Sequence, residues 1–568
     1  MKHPPKSSTP SERRQVERTH PAVVLLQAAA GVEAPIGPLT SLLGATLASS
    51  FGDAVLVLHL NEPSDFEDEP GWSGASGPPS LSPSTSITGP ASRTPSIDLE
   101  EGQAGHLDLA LPADAGRAVA LLLDKLRQYL PLFAYVLVDA SAREPALQRL
   151  LLMALASPEL HGVSRRLVVL TRGGAAMPSV PRAWSVLVTH LLDPLPDDAA
   201  PPSLRPHRGR VLAGLDTARR LAKTLRERLG GDAIEPEGEP YPESRVIPEL
   251  CRVRLDLRAL GALSTAGAQP TLASLPEPAR RSFGRWARAL TWRRVGVALG
   301  GSGAWGYSHV ALMRQLVARG IPIDIIGGTS SGAVMGAFYA VLGPAGLDRA
   351  IAVGTRLSRL AWLSLLSSTV IDLGADAELG CVLLEDLEIL FLPVATNLSR
   401  GRAEVITRST VASAVRASAS APGVFASTIT RTGVYVDGAI SDNVPVVLVE
   451  RMGADLLVAC NPLPPPAVVS TRAAESPLDD FLAEINPVNR LRDLRVSFEM
   501  MMHDFGDCEP SETRIVYEPP PDANSLFGTF QFGRAAALVE AVEREPRFRE
   551  TIDRSAEAWA RLAAPRIP

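Results

Sequence analysis

Short apolar runs alternate with helical stretches along much of this chain, and that alternation limits its fold more than any other feature. Residues 22–27, 53–59, 133–139, 166–171 and 185–189 read as strands apolar on both faces, the pattern of a sheet covered by helices on either side. Helical periodicity over 39–49, 113–129 and 144–155 separates them. Strands joined through helices pair in parallel, so the spacing predicts an α/β fold with a doubly wound sheet.

At 568 residues the chain exceeds one average domain. Its composition, 46% hydrophobic and 21% charged, supplies ample core. Residues 1–20 read as a disordered N-terminus, and 21–203 as a Rossmann-like α/β domain with a Pro-, Ser- and Gly-rich insertion over about 61–103. Residues 204–292 read as a helical linker that is locally basic, with Arg205, Arg208, Arg219, Arg220, Lys223 and Arg226. That run is either a solvated helix face or a patch for anionic headgroups. A catalytic domain follows over 293–465, then a mostly helical extension over 466–568.

The formal charge of -6 argues against a nucleic-acid partner. The first strand–helix turn, 28–38, has neither a P-loop lysine nor closely spaced glycines, so no nucleotide is expected. Cys251, Cys381, Cys460 and Cys508 form no CxxC pair, which suits reduced thiols rather than a metal site. The N-terminus lacks the apolar segment of a signal peptide, and no run of about 18 apolar residues occurs. A cytoplasmic protein, at most peripheral to a membrane, is the expectation.

The chemistry concentrates after Val295. A buried strand over 295–299 opens into Gly300-Gly301-Ser302-Gly303-Ala304-Trp305-Gly306 and then a helix. Such a turn aligns backbone N–H groups that can hold an anion. A second strand, 323–326, leads through Gly328-Thr329-Ser330-Ser331-Gly332 into another helix. A serine on a sharp strand-to-helix turn, flanked by glycines two residues either side, is a nucleophile elbow. Ser330 is the symmetric position, and Ser331 is the rival. His503 is the only histidine after Ser330, and His309 reads as a packed helix residue, so a Ser-His-Asp triad lacks its base. Asp437, in Asp437-Gly438-Ala439 at the end of a strand over 433–436, can take the serine proton directly. Asp442 is the rival acid, read as a loop brace.

A GGGxxG-like turn, a GxSxG elbow and a later Asp-Gly resemble the patatin-like phospholipase family. Residues 299–309, 321–330, 396–401 and 420–425 resemble its neuropathy-target-esterase-like, bacterial lysophospholipase branch. The resemblance implies a three-layer α/β/α catalytic domain with a Ser330–Asp437 dyad and no cofactor. It implies oxyanion donors at Gly301, Ser302 and Gly303. A lysophospholipid or phospholipid ester, met at a membrane surface, would be cleaved through an acyl-enzyme. Acyl transfer by the same dyad and an impaired lipid-binding scaffold are the alternatives. Two departures stand out: Trp305 where the family turn commonly has arginine, and Ser302 where glycine is usual. If the turn needs a left-handed backbone at 302, serine there is strained. The apolar stretch 357–366 reads as a cap helix or a lipid entrance.

Overall fold

The structure is a computed structural model that describes residues 20–30, 32–61, 103–111, 115–139, 151–152, 155, 160, 162–172, 184–192, 236–241, 249–265, 271–357, 378–379, 382–422, 425–463, 500–503, 509–520 and 532–566. The N-terminus, almost all of the 61–103 insertion, the basic run, most of the 144–155 helix, and 358–366 lie outside these residues. The chain divides into two compact units, residues 1–194, 245–293 and 561–568 in the first, and 195–244 and 294–560 in the second.

The first unit opens with β1 (Ala22–Ala28), α1 (Ile36–Phe51), β2 (Val55–Asn61), β3 (Gly105–Ala110) and α2 (Ala115–Tyr129). It continues through β4 (Tyr135–Asp139), β5 (Ser164–Thr171) and β6 (Ser185–Leu192). After lending β7 (Glu237–Pro240) to the second unit, the chain returns with β8 (Glu249–Arg254), α3 (Leu257–Thr265) and α4 (Glu277–Leu290). The seven strands lie in the order β3-β2-β4-β1-β5-β6-β8. Every pairing is parallel. Alternate side chains explain why the runs are apolar throughout. Val23, Leu25, Leu56, Leu58, Val136 and Val138 pack with Leu122 and Leu126 of α2, while α1 and α4 pack together and α1 lies against β2 and β4.

Two strands in this sheet were not foreseen. β3 (GHLDLA) and β8 (ELCRVR) are half-polar alternating runs rather than apolar ones. Both lie at sheet edges, where one neighbour strand is enough. β8 and β7 also correct the reading of 204–292 as wholly helical.

A buried ion pair stabilises the first unit. The Arg293 guanidinium donates to both Asp53 oxygens, at 2.5 and 2.9 Å, with neither side chain exposed. The remaining Arg293 donors reach the carbonyls of Leu562 and Ala564, at 3.1 and 2.8 Å. Removing one partner strands a buried charge. Asp53→Ala is therefore expected to destabilise by about 3–5 kcal/mol, measured as a lower denaturant midpoint.

The second unit carries β9 (Val295–Leu299), α5 (Tyr307–Ala318), β10 (Ile325–Thr329), α6 (Ser331–Leu342), α7 (Pro344–Leu357), β11 (Leu390–Asn397) and β12 (Arg402–Arg408). Then follow α8 (Val411–Ser418), β13 (Thr428–Thr430), β14 (Gly433–Asp437), α9 (Val446–Arg451), β15 (Leu456–Cys460), β16 (Arg514–Tyr517), α10 (Ala535–Arg544) and α11 (Pro546–Ala563). Five strands, β11-β10-β9-β15-β16, form a parallel core. β14 and β12 join β11 antiparallel, β13 extends β14, and β7 covers β12. The layers can be read from two close approaches. A Cβ at Gly327 of β10 would sit 2.4 Å from Val449 of α9, whereas a Cβ at Gly336 of α6 would sit 2.8 Å from Ile326 of the same strand. Neighbouring residues of a strand face opposite sides, so α6 and α9 cover opposite faces of an α/β/α sandwich. No described helix is long and apolar enough to cross a membrane.

Candidate active site

β10 ends at Thr329 and α6 begins at Ser331, leaving Ser330 alone on the turn. Its backbone sits at φ 53° and ψ -120°, a left-handed conformation that costs a serine about 1–3 kcal/mol. The surroundings hold it there. Its N–H donates to the Ser418 hydroxyl at 3.0 Å, and its carbonyl accepts the Val334 N–H at 3.0 Å. The two flanking glycines are obligatory for spatial reasons. A Cβ on Gly328 would lie 2.8 Å from the Gly332 carbonyl, and one on Gly332 only 2.1 Å from the Leu299 carbonyl. The elbow thus threads between its own strand end and the neighbouring strand β9.

Asp437 closes β14, two strands from the elbow strand β10, with β11 between them. Val394 of β11 pairs with Thr329, and the next residue, Ala395, pairs with Asp437. This register brings the carboxylate to Ser330, whose hydroxyl favours its ionised form. A hydrogen bond comes from the Ala439 N–H to Oδ1 at 3.0 Å. Gly438 follows because a side chain there would strike the Val394 carbonyl at 2.4 Å. Burial pushes the Asp437 carboxyl up to about 6, although Ser330 and the bond from Ala439 pull the other way. It is therefore mostly ionised at neutral pH and basic enough to take a proton.

The glycine turn lies against this pair. A Cβ on Gly301 would come within 2.8 Å of the Ser330 Cβ. Two of the three amides expected to meet an oxyanion are committed inside the protein. Gly301 N–H donates to Asn443 Oδ1 at 2.8 Å, and Ser302 N–H donates to Ser331 Oγ at 3.0 Å. The expectation of three available donors is thus corrected, because the turn is held shut by two side chains. Ser302 adopts φ -169°, extended backbone open to any residue, while Gly303 takes φ +61°. The anticipated strain at Ser302 does not arise, because the left-handed position falls on the glycine. Trp305 is buried, and its carbonyl accepts the Ser308 hydroxyl at 2.7 Å.

The rivals have other duties. Ser331 Oγ is occupied by the Ser302 amide. Asp442 accepts the Tyr241 hydroxyl at 2.7 Å. His309 is fully buried, which pushes its imidazole down to about 4, and its neutral ring donates Nε2–H to the Gly300 carbonyl at 2.7 Å. It braces the turn. No described group of side chains is arranged to hold a metal ion.

Ser418, Asn443 and Tyr241 were not foreseen. Each acts across the fold through side-chain hydrogen bonds, and nothing in its local sequence marks it.

A serine elbow at the end of a parallel strand, facing a buried aspartate on an antiparallel strand of the same sheet, defines a class of serine-elbow α/β domains. Residues 297–449 match the family model described as patatin-like phospholipase, and the chain carries a patatin-like phospholipase domain. It is 31% identical over 257 residues to Lysophospholipase NTE1 of Phaeosphaeria nodorum, covering 43% of this chain and 15% of that protein. It is 34% identical over 205 residues to Lysophospholipase nte1 of Emericella nidulans, covering 34% and 13%. The chain thus spans a minor part of these relatives. They are fungal, whereas the motifs had suggested the bacterial branch. A solved structure, VipD from Legionella pneumophila, aligns at 13% identity over 44% of this chain and 67% of that one, with a TM-score of 0.22.

Proposed function

We propose that the protein is a lipid acyl hydrolase that cleaves carboxyl esters of lysophospholipids or phospholipids through Ser330 and Asp437. The observation that carries this reading is the strained elbow serine set beside a buried, weakly acidic carboxyl that its hydroxyl influences. The names of the fungal relatives support the substrate class.

Asp437 takes the hydroxyl proton as Ser330 Oγ bonds to the ester carbonyl carbon, and the carbonyl oxygen becomes an oxyanion. With Gly301 and Ser302 committed, the oxyanion falls to Gly303 N–H and the amide of Ser331, the residue after the nucleophile. The positive end of α6 favours the same charge. The tetrahedral centre collapses, the C–O bond to the glycerol side breaks, and Asp437 returns the proton to the departing alkoxide. Water then attacks the acyl-serine, again giving its proton to Asp437. Release of the fatty acid restores the serine. The lipid is met at a membrane surface, and the chemistry draws on no cofactor.

A fluorophosphonate serine probe tests this directly. Wild-type protein is expected to label at one site and to release fatty acid from lysophosphatidylcholine, with both lost in Ser330→Ala. A folded wild-type protein that does not label would instead favour a scaffold that binds lipid without cleaving it. Fatty-acid transfer to an added alcohol in place of water would identify an acyltransferase.

A further inference from the structure

We propose that Tyr241, on a segment preceding the family-matched region, is a positioning residue that fixes the spacing between Ser330 and the glycine turn by anchoring the 441–443 loop. The inference rests on the hydrolase reading and adds a residue that the domain match does not contain.

Tyr241 directly follows β7, which is firmly docked. β7 pairs antiparallel with β12, with Gly238 opposite Ile406 and Pro240 opposite Glu404. Gly238 N–H donates to the Tyr435 hydroxyl at 3.1 Å. A Cβ at 238 would come within 2.8 Å of Glu404 Oε2, so the strand could not approach this closely with a side chain there. Glu404 is itself buried and held by Asn397 Nδ2 at 2.9 Å and Arg400 at 3.0 Å.

From this base the Tyr241 hydroxyl donates to Asp442 Oδ2 at 2.7 Å. The loop it anchors touches the reacting centre from two sides. The Asp442 carbonyl accepts the Thr329 hydroxyl at 3.1 Å, adjacent to the nucleophile. Asn443 Oδ1 accepts the Gly301 amide at 2.8 Å, while its Nδ2 donates to the Met502 carbonyl at 2.9 Å. One arm therefore meets the elbow strand and the other the turn that packs on Ser330. Burial pushes the Asp442 carboxyl up to about 6 and raises the Tyr241 phenol well above its ordinary range. Around pH 8 the carboxylate accepts and the phenol keeps its proton, as the bond requires. A small error in this spacing affects attack more than binding, because reacting atoms need near-attack geometry.

The test uses the full chain at pH 8 with p-nitrophenyl butyrate. Tyr241→Phe is expected to lower kcat about tenfold with KM within about twofold, and to slow fluorophosphonate labelling in parallel. Amide exchange across 300–306 is expected to quicken. Asp442→Asn keeps an oxygen for the phenol and is expected to fall less than Asp442→Ala. Tyr241→Phe with wild-type kcat and labelling overturns the proposal, whatever its melting temperature. If wild-type protein neither labels nor turns over ester, the hydrolase reading fails. Exchange across 300–306 then decides the anchoring alone: faster in Tyr241→Phe supports it, and unchanged exchange overturns it.

Discussion

Asp437→Asn is expected to lower turnover about 10³-fold, the scale of a lost general base, while raising the melting temperature at pH 8. The second effect follows from the sign of the shift. The carboxyl has an ordinary value of 3.8 and is raised to about 6 by burial, so ionising it inside the fold is unfavourable. That penalty is absent below the lower value, grows between the two, and is complete above pH 6. Roughly two units correspond to about 3 kcal/mol, an upper bound on what a neutral asparagine recovers. The same shift sets the pH profile. kcat/KM is expected to fall tenfold per unit as pH drops below about 6 and the base becomes protonated. A flat profile from pH 5 to 8 would place the base elsewhere, and a lower melting temperature in the variant would refute the burial penalty.

Gly332→Ala is expected to be the most damaging single methyl at the elbow. Its Cβ would stand 2.1 Å from the Leu299 carbonyl and 2.9 Å from that of Gly300. Both obstacles are backbone, so no rotamer change relieves them, and the strand end or the helix must move. A loss above about 4 kcal/mol follows, seen as insoluble protein or a strongly lowered melting temperature. Gly261→Ala in α3 is the control. Nothing lies within 4 Å of a Cβ there, and the change is expected to stabilise by about 0.5–1 kcal/mol. Equal behaviour of the two variants would refute the steric account of the elbow.

The sequence placed the elbow, the glycine turn and the Asp-Gly pair because each is a local pattern, fixed by backbone conformation within a few residues. The apolar strands were legible for the same reason, and β1, β4 and β5 stand within a few residues of their expected places. β3, β7 and β8 were missed because an edge strand needs only one apolar face, and a short alternating run such as ELCRVR resembles a loop. The state of the turn was missed for a different reason. Whether Gly301 and Ser302 offer their amides depends on Asn443 and Ser331, and the first arrives from far along the chain. The condition under which Ser302 would be strained is not met, because Gly303 takes the positive φ. That depends on how the turn enters its helix, which spacing alone does not define.

β7 also matters as a cover. It is the outermost strand on its side of β12, and its four residues satisfy backbone groups that would otherwise face water. A version of the protein trimmed to the matched region, 297–449, would bare the β12 border, a ready template for joining another chain. The same cut would remove β15, β16 and the Met502 carbonyl that Asn443 holds. The segment that the family model matches is therefore not a portable cassette: a usable excision has to bring 237–241 with it as well as the strands that follow.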